Sequence, residues 1–123
     1  MKASKIYVKI LGVPYCKSKR RGKIGAKNLW TEMVVRKTRG LPKIKGACTL
    51  KIHFFLPPDK FPTDLPHGPD IDNLLKRFLD ALNETIFKNV QGHDSCVVSL
   101  SAKKIKVKEQ SKAGVVLEIK RKE

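Results

Sequence analysis

Negative charge is scarce in this chain of 123 residues: 11 Asp and Glu stand against 27 Lys and Arg, for a formal net charge of +16. Cysteine is scarce too. Cys16, Cys48 and Cys96 are too few and too scattered for a disulfide framework, and none forms a C-x-x-C pair. His53, His67 and His93 stand at no zinc-like spacing to them, so the cysteines read as ordinary buried or half-buried thiols in a reducing compartment. No apolar run approaches the roughly 18 to 20 residues that cross a bilayer. The opening Met1-Lys2-Ala3-Ser4-Lys5 has no continuous apolar stretch and is not a secretory signal. Membrane, zinc-finger and disulfide-scaffold classes are thereby set aside, and a cytoplasmic location is expected.

What is present is a 41% share of hydrophobic residues arranged in compact periodic blocks, which argues against disorder. The length suits one domain spanning 1–123, with one core. A surplus of +16 on so small a domain concentrates polyanions, and nucleic acid is the commonest of these. The surplus is uneven. Residues 1–58 carry a net +14, residues 59–94 a net −3 and residues 95–123 a net +5. A basic protein has gathered most of its carboxylates into one central stretch.

The alternation at 6–11 predicts a strand ending near Gly12 and Pro14. Residues 17–27 are Gly-punctuated and cationic. With Lys17, Lys19, Arg20, Arg21, Lys23 and Lys27 so close together, they read as a loop that grips DNA phosphates. Asn28 is placed to cap a helix that runs to about Arg39, before Gly40 and Pro42. Residues 47–56 alternate as a strand in which His53 reads as a packed side chain. Five prolines between 57 and 69 then demand an extended loop. Over 70–88, Leu74, Leu75, Phe78, Leu79, Leu82 and Ile86 recur every three or four residues, which predicts a helix with one buried face. A turn at 91–94, a strand at 95–107, a turn at 112–114 and a strand at 115–120 complete the chain, the last two strands reading as a hairpin.

Chemistry concentrates around the long helix. Asp70 and Asp72 flank its start, and Asp72, Lys76 and Asp80 follow at i, i+4 and i+8 on the face opposite the leucines. Asp94 lies in the turn beyond the helix, from which the chain can fold back towards the helix start. Hard carboxylate oxygens suit Mg²⁺, with Mn²⁺ as a substitute, and would share such an ion with a phosphate. Lys76 is placed to neutralise charge on a phosphodiester in transit. The plainer account has Asp70 or Asp72 as helix caps, Lys76–Asp80 as a helix ion pair and Asp94 as a turn former. Each of these is reasonable alone, and together they leave the charge segregation unexplained.

The run PDIDNLLKRFLDALN, followed by GHDSCVV, resembles the signature of the RusA family of Holliday-junction resolvases. The resemblance implies an α+β domain, a mixed β-sheet with helices packed on it, that forms a homodimer. The implied activity is Mg²⁺-dependent, paired cleavage of four-way junction DNA in recombination and repair, which places the protein at the nucleoid. It assigns metal-supported catalysis to Asp70, Asp72 and Asp94, the essential lysine to Lys76, and supporting roles to Asn73 and Asp80. His93 stands where members often carry a second acid, and Glu84 where a glycine often follows the Asn, a change expected to lengthen the helix. Two alternatives stand beside this reading: a non-catalytic basic nucleic-acid binder, and a nuclease acting on flaps or forks.

Overall fold

The computed structural model describes residues 5–12, 14, 24–57, 71–89 and 92–121. Four strands and two helices alternate as β1 (Lys5–Leu11), α1 (Ile24–Thr38), β2 (Cys48–Leu56), α2 (Ile71–Leu82), β3 (Val97–Lys106) and β4 (Gly114–Arg121). The strands form one mixed sheet in the order β1-β4-β2-β3, with β2 and β3 parallel and the other pairs antiparallel. Parallel neighbours need a long crossover, and α2 lies in it. This is the α+β architecture expected of the sequence.

The hydrophobic pattern builds one interior. Strand alternation sends Leu50, Ile52, Phe54 and Leu56 of β2 to the same side as Val115, Leu117 and Ile119 of β4. From α2, Leu74, Phe78, Ala81 and Leu82 meet that side, and from α1 Trp30 and Val34 do so. The Phe54 and Phe78 rings pack edge to face, with centroids 6.0 Å apart. Both helices therefore cover one face of the sheet, and the molecule has two layers. Gly114 closes the first strand pair. A Cβ there would collide with the Ile10 carbonyl oxygen, so only glycine lets β4 lie against β1 at this point.

Four expectations are corrected. The last two strands are not a hairpin: β2 inserts between β3 and β4, bonded to each, because alternation marks a strand without naming its neighbour. Helix α1 starts at Ile24, so Asn28 lies inside it instead of capping it, and Lys27 belongs to the helix and not to a loop. Gly25 costs such a helix only about 1 kcal/mol. Helix α2 stops at Leu82, six residues short of Lys88, so Glu84 does not lengthen it and Lys88 does not sit at its end. The 95–107 strand starts at Val97, since Ser95 and Cys96 belong to a 3₁₀ turn spanning His93–Cys96.

Tertiary partners account for the early end of α2. The Ile44 amide donates to the Ile86 carbonyl at 2.9 Å, and the Phe87 amide reaches back five residues to the Leu82 carbonyl. Thr38 donates its hydroxyl proton to the Val34 carbonyl at 2.7 Å and shares a 2.8 Å hydrogen bond with the Thr85 hydroxyl, which also lies 3.4 Å from the Leu82 carbonyl. Both threonines are buried, and this bond joins the end of α1 to the turn after α2. Ile86 stays fully buried although it is outside the helix, so the apolar periodicity correctly marked it as core; Phe87, which that periodicity left out, is fully buried too.

Candidate active site

Helix α2 presents its two faces to different surroundings. Leu74 and Phe78 are buried, while Asp72, Lys76 and Asp80 project from the other side and are exposed. Asp72 lies in the first turn, where the unpaired amides and the helix dipole favour negative charge. Lys76 follows one turn later, so a carboxylate and an ammonium share a solvent-facing strip. No ion pair joins Lys76 to Asp80 among the described residues, which sets aside the plain helix ion pair. Of Asn73 only the backbone, inside α2, is described.

Asp94 stands in the 3₁₀ turn His93–Cys96 that leads into β3. Two left-handed backbone positions precede it, Asn89 (φ 61°) and Gly92 (φ 82°), and the Ser95 amide closes the turn on the Gly92 carbonyl at 2.8 Å. Of His93 and Asp94 the backbone alone is described. The turn's place in the fold follows from its neighbours. Val97, just after it, pairs with Cys48 at the entry to β2, and the Ile44–Ile86 bond ties that same entry to the chain beyond Leu82. Within one chain the turn therefore lies at the Leu82 end of α2. Asp72 is at the other end, about 15 Å along the helix axis by its rise per residue. Asp70, Lys17, Lys19, Arg20, Arg21 and Lys23 lie outside the described residues, and the side chain of Lys27 does too. Among the described residues no three His, Cys, Asp or Glu side chains gather as metal ligands.

Among the described residues two titratable groups are perturbed, and both stand on strands of the sheet. Burial, then the neighbouring Cys96, pushes the Cys48 thiol above its ordinary value. A protonated thiol is a poor nucleophile, and Cys48 and Cys96 are the buried and half-buried thiols expected, while Cys16 lies outside the described residues. The hydrogen bond from Lys5 holds the Glu118 carboxyl below its ordinary value against a smaller opposing effect of burial, with the charges of Lys5, Lys51 and Lys120 adding to it. The Lys5 Nζ to Glu118 Oε2 distance is 2.9 Å.

Sequence reasoning missed the face of the sheet that the helices leave uncovered. Tyr7, Lys9, Lys51, His53 and Phe55 line it, and His53, read as a packed side chain, is only half-buried there, its ring edge-on to Phe55 at 6.4 Å. The signal was available in the alternation of Lys5, Tyr7 and Lys9, and of Lys51, His53 and Phe55, at every second position.

A two-layer α+β domain with carboxylates and a lysine displayed on one exposed helix strip has the parts of a phosphodiester-cutting enzyme. The family model described as Endodeoxyribonuclease RusA matches residues 26–120, most of the chain. The chain belongs to the RusA endodeoxyribonuclease family, whose members resolve Holliday junctions. No curated protein matches it. Family membership favours a nuclease over a non-catalytic basic binder. No helix among the described residues is long and apolar enough to cross a membrane.

Proposed function

We propose that the protein is a Mg²⁺-dependent resolvase that makes paired, symmetric cuts in four-way junction DNA as a homodimer, acting at the nucleoid in recombination and repair. Asp70, Asp72 and Asp94 would hold the ion, and Mn²⁺ is a fit substitute. The donor set suits it, because hard carboxylate oxygens are what Mg²⁺ accepts while it keeps waters and a substrate phosphate, and Asp72 is exposed. Bound there, the ion supplies charge stabilisation at the phosphodiester and acidifies an attacking water. Lys76, exposed one turn beyond Asp72, offers its ammonium to the scissile phosphate or to the departing oxygen. Asn73 and Asp80 orient the carboxylates from the same helix. The arm of Lys17, Lys19, Arg20, Arg21, Lys23 and Lys27 holds junction backbones, which makes binding salt-sensitive.

The observation that carries this reading is the match of residues 26–120 to the RusA family, joined to the exposed Asp72–Lys76–Asp80 strip. The opposite placement of Asp72 and the Asp94 turn along α2 adds a condition. A symmetric pair of chains meets it if the partner's Asp94 turn approaches Asp70 and Asp72, so that each of the two sites draws on both copies. Two cuts related by a two-fold axis need two such sites.

The test compares cleavage of a mobile four-way junction with duplex, flap and fork DNA in Mg²⁺. The junction should be cut by the wild type and spared by Asp70→Asn, which should still bind it. Equal cutting of all four substrates would end the resolvase reading in favour of a broader nuclease, and preference for flaps or forks would reassign the substrate.

A further inference from the structure

The helices pack against one face of the sheet, and the other face bears a second set of chemically distinctive side chains on all four strands. Register aligns them in rows. Lys9, Val116, His53 and Lys103 form one row across β1, β4, β2 and β3, and Tyr7, Glu118, Lys51 and Ser101 form the next. The outer members of the first row are about 14 Å apart at the spacing of neighbouring strands. Tyr7 is 63% exposed at the β1 edge. Between Tyr7 and the edge-on pair of His53 and Phe55 lies a depression of about 300 Å³, floored by Val116 and flanked by Lys51 and Glu118. Glu118 is the one carboxylate at the described strand positions of this face, and Lys5 already engages it at 2.9 Å.

We infer that this uncovered face is a docking surface for an unpaired DNA strand, with Tyr7, His53 and Phe55 as stacking platforms and Lys9, Lys51 and Lys103 as phosphate partners. Charge decides between occupants. A second copy applied face to face would set lysines against lysines, with only the engaged Glu118 to offset them. A polyanion meets all of them favourably. The rings decide between forms of DNA. A duplex keeps its bases stacked inside and presents phosphates alone, whereas an unpaired strand exposes base faces that stack on aromatic side chains irrespective of sequence. Rings interleaved with lysines on a four-stranded sheet match the second and give the first nothing beyond charge. The inference rests on the nuclease reading only in taking the polyanion to be DNA, and it adds a place for strands unpaired at a junction, apart from the aspartates.

The test uses the full chain with fluorescent oligothymidylate and a duplex of equal length, followed by anisotropy over a salt series. Tyr7→Ala combined with His53→Ala should weaken oligothymidylate binding at least about tenfold, with duplex binding and the melting temperature unchanged. Lys51→Ala combined with Lys103→Ala should reduce the slope of log affinity against log salt by about 0.7 per lysine for the single strand. Bromodeoxyuridine-substituted oligonucleotide should photo-crosslink the wild-type protein at β1 and β2, a readout that needs no variant. Undiminished oligothymidylate binding by the aromatic variant, or crosslinks confined to other segments, would overturn the inference. So would conversion of a dimer into a monomer by Lys51→Glu, which would give the face to a second copy. Junction cleavage separates the two readings. A protein that cuts junctions while the aromatic variant binds the single strand normally loses this inference alone. One that cuts no DNA yet binds the single strand through this face loses the nuclease reading alone.

Discussion

The two faces of the sheet carry different kinds of residue on the same strands. On β2 the side chains of Leu50, Ile52 and Phe54 are buried under α2, while Lys51, His53 and Phe55, each one position along, face away from both helices. One periodicity thus writes two surfaces. The covered one is apolar and holds the fold together, and the uncovered one is cationic and aromatic and contributes little to the core. Tyr7 and Leu11 stand exposed beside these lysines, a mixture that the proposed docking of a DNA strand would use.

The sharpest way to break that comparison is to truncate adjacent phenylalanines. Phe54→Ala, which empties the edge-to-face contact with Phe78, should cost about 3–5 kcal/mol in denaturant unfolding. Phe55→Ala should cost about 1 kcal/mol or less. Equal losses would mean that both faces are core. A smaller effect is expected where the helical layer is pinned. Thr38→Val removes a buried hydroxyl that donates to Val34 and is hydrogen-bonded to Thr85, and should cost about 1–2 kcal/mol with no change in DNA binding.

Two pH effects distinguish the faces further. Burial raises the Cys48 thiol on the covered face, so the stabilisation from keeping it protonated is complete below the ordinary thiol value of 9.0 and is lost as pH rises beyond it. Urea unfolding of the wild type should weaken above that pH, and in Cys48→Ala this dependence should be absent. On the uncovered face the sign reverses. Lys5 lowers the Glu118 carboxyl, so its contribution is present above the ordinary value of 4.5 and fades as pH falls through the lowered one. Melting temperatures of wild type and Glu118→Gln should differ near neutrality by the smallest margin of the series and converge in acid. A gap that widens in acid would contradict the assignment.

Much of the covered face was legible in the sequence, because three- and four-residue spacing marked Leu74, Phe78 and Leu82, and alternation marked β2 and β4. Strand order was not legible. The insertion of β2 between β3 and β4 pairs segments some sixty residues apart, and no local pattern encodes which strand lies beside which. The end of α2 was hidden for a similar reason: Ile44 and Thr38, far away in the chain, capture the backbone and side chains after Leu82. At the candidate site, carboxylate spacing and the family-like motif are what propose Asp70, Asp72, Lys76 and Asp94 as a group. How far the Asp94 turn stands from Asp72 depends on the crossover to β3, and that is a property of topology. The uncovered face escaped notice because lysines and aromatics in alternation look, residue by residue, like a solvated strand.

Asp72 and the Asp94 turn stand toward opposite ends of α2, and mixing inactive variants tests most directly whether a second copy joins them. Asp72→Asn and Asp94→Asn should each fail to cut a four-way junction alone. After co-refolding, the mixed dimers retain one site with all its native carboxylates and should nick the junction on one strand. A mixture as inert as its components, with mixed dimers shown to form, would contradict a site shared between two chains.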